Sequence, residues 1–195
     1  DRANGFCYIN EPVLTIQRLR AMGLERIAYV DIDAHHCDGV AVAFHGSEAV
    51  QMISVHEDRR WPFTGQLEDE AGGAALNIPV PRGLNDTEFD LILNEVILPA
   101  VARQKPDAIY LQCGADAVTE DPLSRLGLSN RCHVLTVQAL RALSPRMVVS
   151  GGGECALAKL RLLLKTQARI WVFAADPAPA VLDLATKGKI TLIKR

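Results

Sequence analysis

Aromatic residues are scarce, at 5% of the chain, and no apolar run approaches the length of a bilayer-spanning helix. The N-terminal stretch "DRANGFCYIN" lacks the basic and greasy regions of a secretory signal, so no membrane association is expected. It also lacks an initiator Met, which leads us to expect a chain that starts inside a larger protein. Cys-x-x-Cys spacing is missing, and the cysteines (Cys7, Cys37, Cys113, Cys132 and Cys155) are odd in number. That argues against a disulfide framework or a structural zinc knot and favours a reducing, cytoplasmic compartment. Clustered charge of one sign is absent too. Lys and Arg total 21 against 23 Asp and Glu, for a net charge of −2, so the chain carries no electrostatic footprint for nucleic acid or an anionic membrane.

What is present suits one α/β domain: 195 residues with 49% hydrophobic content can bury a sizeable core. Asn10 and Pro12 open a helix that Gly23 stops. "RIAYVDID", "VQMISV", "ALNIPVP", "DAIYLQC" and "RMVVS" read as strands, and "DGVAVAFHG" and "NRCHVLTVQALRAL" as helices. "NDTEFDLILNEVILPAVARQ" is a helix with Asn85 and Glu88 at capping-box spacing, and Pro99 is expected to kink its last turns. From Glu57 to Ala74 periodicity disappears, which predicts a long loop carrying "RRWPFTG", of the kind that is usually functional or disordered. After Cys155 a Leu-rich helix, an "ARIWVFA" strand, an Ala-rich helix and a "KITLI" strand are expected. Strands alternating with helices predict a parallel sheet covered on both faces, with a site at its carboxyl edge.

That edge is where the chemistry gathers. In "YVDIDAHHCDGV", Asp33 and His35 are two residues apart at a strand end, so their side chains point the same way and can grip one ion. Asp31 falls one step deeper on the same face. The strand "AIYLQC" runs into Gly114, Ala115 and Asp116, which can deliver a third oxygen ligand. Two carboxylates and one imidazole leave a coordination position free, the pattern of a catalytic zinc or iron site. The plainer reading makes Asp38 or Asp116 an N-cap and the His pair solvated. Against it stands the cost of so much uncompensated charge on a buried strand, which an ion removes.

Four motifs in order, "GFCYIN", "VDIDAHHCDGV", "ISVHEDRRWPFTG" and "LQCGADAVTEDPL", resemble the zinc-dependent histone deacetylase superfamily, which includes acetoin-utilisation proteins and acetylpolyamine amidohydrolases. The resemblance implies an arginase/deacetylase-like three-layer α/β sandwich with a mainly parallel sheet, incomplete at the N-terminus. It covers 1–153 as a partial catalytic domain and leaves 154–195 as a segment without assigned resemblance, packed on the same sheet. The implied reaction is hydrolysis of acetyl amides on lysine or a polyamine. Asp33, His35 and Asp116 match the zinc ligands, with Fe2+ as the other candidate metal. Asp31 and Ser54, with the backbone of Asp33, His35 and Val55, match a monovalent-cation site, usually K+. Phe6 and Trp61 resemble the walls of the acetyl-lysine tunnel, with Gly5 beside them, Leu123 near the rim, and Gly152 and Gly153 in the glycine loop. An apolar sleeve suits a neutral alkyl stem whose acetyl carbonyl must reach the metal.

The sequence departs from the family in two places. The His-His acid–base pair should precede "GFCY" and is not in this chain, although Asp31 and Asp38 occupy the positions that orient it. The glycine loop reads "SGGGECAL", with Glu154 for its last glycine and Cys155 for the oxyanion-stabilising tyrosine. A thiol is a weak donor, and losing one oxyanion donor costs on the order of 10²–10³ in turnover. The expectation is therefore an incomplete or impaired deacetylase, a fragment rather than a divergent inactive member. A non-catalytic, metal-dependent acetyl-lysine or acetylpolyamine binding module is the alternative. An arginase-like ureohydrolase ranks low, because its second metal needs carboxylates that these motifs do not supply. His45, His56 and His133 are read as surface or helix-packing residues, Cys113 as a buried hydrophobe, and Cys37 as pointing away from the metal. Oligomeric state is not encoded in any pattern we find.

Overall fold

In the computed structural model the described residues are 9–122, 124–144, 146–150, 171–174 and 177–194. The chain opens with helix α1 (Glu11–Ala21), whose first turn is held by the Asn10 side chain accepting from Val13 N at 3.1 Å. Strand β1 (Ile27–Asp31), helix α2 (Asp38–Ala43), strand β2 (Val50–Glu57) and strand β3 (Ala75–Val80) follow. Next come helix α3 (Asp86–Ile92), helix α4 (Leu98–Gln104), strand β4 (Ala108–Gln112), helix α5 (Asn130–Leu143) and strand β5 (Met147–Ser150). The five strands form one parallel sheet in the order β3-β2-β1-β4-β5.

β1 is central and buried along its whole length, as a strand covered on both faces must be. Its side chains alternate between two cores. Ala28 and Val30 join Phe89, Ile97, Val101 and Leu140 of the α3–α5 layer, whereas Ile27 and Tyr29 join Ile16, Val40 and Phe44 of the α1–α2 layer. This period-two division produces the three layers expected from the sequence.

The capping box at Asn85 and Glu88 forms as its spacing predicts. Pro99 acts one turn earlier than its own position: a π-helical segment at Leu93–Ile97 separates α3 from α4. Proline lacks an N–H and crowds the carbonyl four residues back, and a widened turn accommodates both demands. β2 runs two residues beyond the expected "VQMISV", which sets Ser54 and His56 on one face and delivers Glu57 to the strand end.

The C-terminal elements are strand β6 (Trp171–Ala174), helix α6 (Pro179–Thr186) and strand β7 (Thr191–Lys194). β6 and β7 pair in parallel as a separate two-stranded sheet, while Val181 and Ile190 belong to the same apolar core as α3–α5. The Leu-rich helix expected after Cys155 lies outside the described residues.

Candidate metal centre

Parallel pairing brings the ends of β1, β2 and β4 level: Asp31 is the register partner of both Ser54 and Gln112. The segment beyond β1 then turns across the end of β4, with Ile32 N donating to Gln112 O at 3.0 Å. This turn and the Gly114–Asp116 turn face each other. One ligand atom each from Asp33, His35 and Asp116 lies within 4.8 Å of the others. His35 Nδ1 sits 2.7 Å from Asp116 Oδ2, and Ala34 N donates to Asp116 Oδ1 at 3.1 Å. Asp33 is fixed by His35 N, which donates to its Oδ1 at 2.6 Å. A Cβ at Gly114 would collide with Asp33 Cβ and press on Asp116 Oδ1, so only glycine lets the two turns approach this closely.

The cluster holds more negative charge than its own cations offset. Burial raises the Asp33 carboxyl well above its ordinary value, and the neighbouring charges of Asp31 and Asp116 raise it further. Burial also lifts Asp31 to about 7, although the Tyr29 hydroxyl donates to it, as does Asp33 N at 3.2 Å. His35 is pushed up mainly by its hydrogen bond to Asp116. For Asp116 burial alone would raise the carboxyl, but the bonds from His35 and Ala34 outweigh it and hold it below its usual range. A divalent cation among these three side chains would neutralise charge that the fold leaves expensive, so the donor set fits a metal by geometry and by charge.

Neither aspartate suspected of capping is an N-cap. Cys37 takes that position for α2 and Gly114 for the short 3-10 turn at Ala115–Ala117. Asp38 is instead the first residue of α2 and accepts from Gly39 N at 2.7 Å. Cys37 is buried in the α1–α2 core beside Tyr29. Ser54 is buried, with its Oγ 2.9 Å from His56 Nδ1. Val55 is buried in the core on the opposite face of β2. Trp61 stands beside the cluster, its ring edge-on to His35 with centroids 6.1 Å apart, and it is 39% exposed. Gly5, Phe6, Leu123, Gly152, Gly153 and Cys155 lie outside the described residues.

Two histidines, His36 and His56, differ from expectation. His56 is a buried residue rather than a surface one, joining Ser54 to Gly65 O, 2.8 Å from its Nε2. His36 is buried as well, with its Nδ1 2.8 Å from Thr64 Oγ1 and its ring 5.0 Å from that of His56. Together they fasten the loop that carries Trp61 to the sheet edge. Gly65 completes the fastening: its φ is +78°, and any Cβ there would strike the His36 ring. Serine and histidine at i, i+2 on one strand was the available signal, but their partners lie across a turn that sequence spacing does not disclose.

A parallel α/β sheet with an open two-carboxylate, one-imidazole cluster at its carboxyl edge defines a class of metal-centred proteins. Comparison with known proteins narrows the class. The histone deacetylase domain model matches residues 1–165. Histone deacetylase HOS1 of Saccharomyces cerevisiae is 39% identical over 158 residues, covering 78% of this chain and 34% of the relative. Histone deacetylase 19 of Arabidopsis thaliana is 33% identical over 184 residues, covering 92% and 35%. A crystal structure of a histone deacetylase homologue complexed with SAHA superposes with a TM-score of 0.74 at 36% identity, covering 86% of this chain and 49% of that one. A homologue from Aquifex aeolicus gives 0.72 at 38% identity, covering 87% and 49%. The chain belongs to the histone deacetylase family, and it spans about a third of these curated relatives and about half of these solved chains.

A second family model, a putative NAD(P)-binding family, matches residues 139–195. Both matches include the glycines after β5. No resemblance is expected for 154–195 from the motifs above, yet Gly151-x-Gly153-x-x-Ala156 directly after a strand is a legible phosphate-turn signal in the sequence. Among the described residues, no helix is long and apolar enough to cross a membrane.

Proposed function

We propose that this chain carries the metal-ligating part of a deacetylase-type amidohydrolase site, acting on the acetyl amide of an acetylated lysine or polyamine. One observation carries the reading: Asp33, His35 and Asp116 converge within 4.8 Å at the sheet edge. Zn2+ is the metal that best suits this donor set, with Fe2+ as the other candidate, and it would supply Lewis acidity toward a carbonyl. The chain's own residues do the rest. Trp61 offers an exposed aromatic wall beside His35 for the alkyl stem, and the resemblance gives Phe6 as the second wall. Asp31 and Ser54, level with each other on β1 and β2, are the residues that would hold a K+ ion. Residues 1–153 form the deacetylase-like unit in this reading, and buried cysteines at 37, 113 and 132 without CxxC spacing suit a reducing, cytoplasmic setting.

The test is an acetyl-lysine peptide assay on the Zn2+-loaded chain and on a form extended upstream with the His-His pair and bearing Cys155→Tyr. Turnover by the extended form is expected. Zinc binding without turnover in that form overturns the hydrolase reading. Metal-dependent ligand binding by the present chain, also without turnover, supports the binding-module alternative, which Cys155 favours.

A second reading concerns the C-terminal part alone. Its resemblance to a putative NAD(P)-binding family favours a dinucleotide phosphate held by the glycines at 151–153. Quenching of intrinsic fluorescence by NAD+ or NADP+ tests it, and an unchanged signal at millimolar nucleotide rejects it.

A further inference from the structure

Beside the metal cluster lies a second charged group whose balance is reversed. Glu57, at the end of β2, is buried, yet its carboxylate is fully engaged. Arg60 Nε donates to Oε2 at 2.8 Å, Arg125 N donates to the same oxygen at 2.8 Å, and Arg82 Nε donates to Oε1 at 3.2 Å. Burial would raise this carboxyl, but the donors, Arg60 foremost, hold it below its ordinary value. One carboxylate therefore anchors two guanidiniums, and the group keeps one positive charge that Glu57 does not cancel.

The two arginines differ in what they face. Arg82 is 74% exposed and points to solvent, whereas Arg60 is only 16% exposed. Arg60 immediately precedes Trp61, whose ring meets His35 edge-on. Glu57 N donates to Ala34 O at 3.1 Å, which sets the group against the turn that carries Asp33 and His35. The Nε of Arg60 donates to Glu57, which fixes the plane of the fork, and a guanidinium carries four further N–H donors on its two Nη groups. A fixed, half-enclosed guanidinium with donors to spare is the residue type that reads a carboxylate in two-point fashion.

We propose that Arg60, held by buried Glu57 beside Trp61, is a specificity-determining residue that binds an acidic group next to the acetylated amine, so that the site prefers acetyl amides with an anionic neighbour. This rests on the deacetylase-type reading of the site and names its substrate class. A basic neighbour would meet the uncancelled charge of the Arg60–Glu57–Arg82 group and be disfavoured.

The experiment measures binding of three acetyl-lysine tripeptides to the Zn2+-loaded full chain by calorimetry, with Asp, Ala or Arg beside the acetyl-lysine. The Asp peptide should bind about tenfold more tightly than the Ala peptide, and the Arg peptide more weakly than either. R60Q should abolish the preference, and R60K should retain part of it through charge without the fork. The double variant E57Q/R60Q removes both buried charges together and should also lose the preference, which guards against misfolding of the single variant. Equal binding of the three peptides overturns the proposal while leaving the deacetylase-type reading standing, and so does a preference that survives R60Q or E57Q/R60Q. No binding of any peptide overturns both.

Discussion

The turn after β1 and the loop after β2 leave the same sheet edge from neighbouring strands, yet they balance charge in opposite ways. The first gathers Asp31, Asp33 and, across the gap, Asp116 around a single imidazole, and burial lifts two of those carboxyls above their ordinary values. The second holds one buried carboxylate, and Arg60, Arg82 and a backbone N–H satisfy it completely. The first holds carboxylates that its single imidazole does not offset, while the second is closed on itself and has positive charge left over. A ligand-binding turn tolerates an unfavourable apo state because the ligand repays it, whereas a supporting loop must be stable at all times.

The sharpest way to break this contrast is Asp33→Asn. Asparagine can still accept the bond from His35 N but brings no charge to the metal. Metal affinity should fall on the order of 10²-fold or more, while the metal-free chain should keep or gain thermal stability. Calorimetric metal titration and melting of both forms check the pair of outcomes. A metal-free variant markedly less stable than the parent would show that the turn is self-sufficient after all.

Glu57→Ala should behave in reverse. It strips Arg60 and Arg125 N of their shared acceptor beneath the loop, at a cost of about 3 kcal/mol, the lower end for breaking a buried pair because Arg82 is largely exposed. Metal affinity should change little. Denaturant unfolding with and without metal measures both. A loss of metal binding as large as that of Asp33→Asn would mean that the two loops form one unit.

A third effect, no larger than the second, depends on pH. Burial holds His56 near 4, well below its ordinary 6.5, because the protonated ring is excluded from its place between Ser54 and Gly65. As pH falls, the unfolded chain takes up that proton first. The stability contributed by neutral His56 is therefore complete above about 6.5 and is lost progressively toward about 4, amounting to about 3 kcal/mol at most. His56→Gln should flatten this part of the pH–stability curve. An unchanged acid limb would place the proton elsewhere.

What the sequence disclosed follows the same division. The ligand turn was legible because its residues are close in sequence and share a strand's period of two: Asp31, Asp33 and His35 must point one way. Asp116 was readable because another buried strand ends just before it. The supporting loop was not legible, since each of its bonds joins residues far apart in sequence or across an irregular turn. His56 meets Gly65 and Glu57 meets Arg125, and no periodicity encodes either meeting. The sheet itself came through well, because alternating buried strands and amphipathic helices leave few topologies, while the π-helical turn before Pro99 depends on how the helix relaxes rather than on where the proline falls.

The smallest stability effect should come from Trp61→Ala, and it tests where the two loops meet function. A core tryptophan costs several kcal/mol when truncated, but this ring is 39% exposed and touches the cluster only edge-on through His35. We therefore expect melting to shift by no more than about 0.5 kcal/mol and metal affinity to stay unchanged. Binding of an acetyl-lysine peptide should nevertheless weaken about tenfold, because the apolar stem loses its wall. The separation of the two readouts is the point of the measurement. Weakened peptide binding with stability intact would support the ligand-contact role proposed for Trp61, whereas a large loss of stability would return Trp61 to the core and leave the alkyl stem without a described partner.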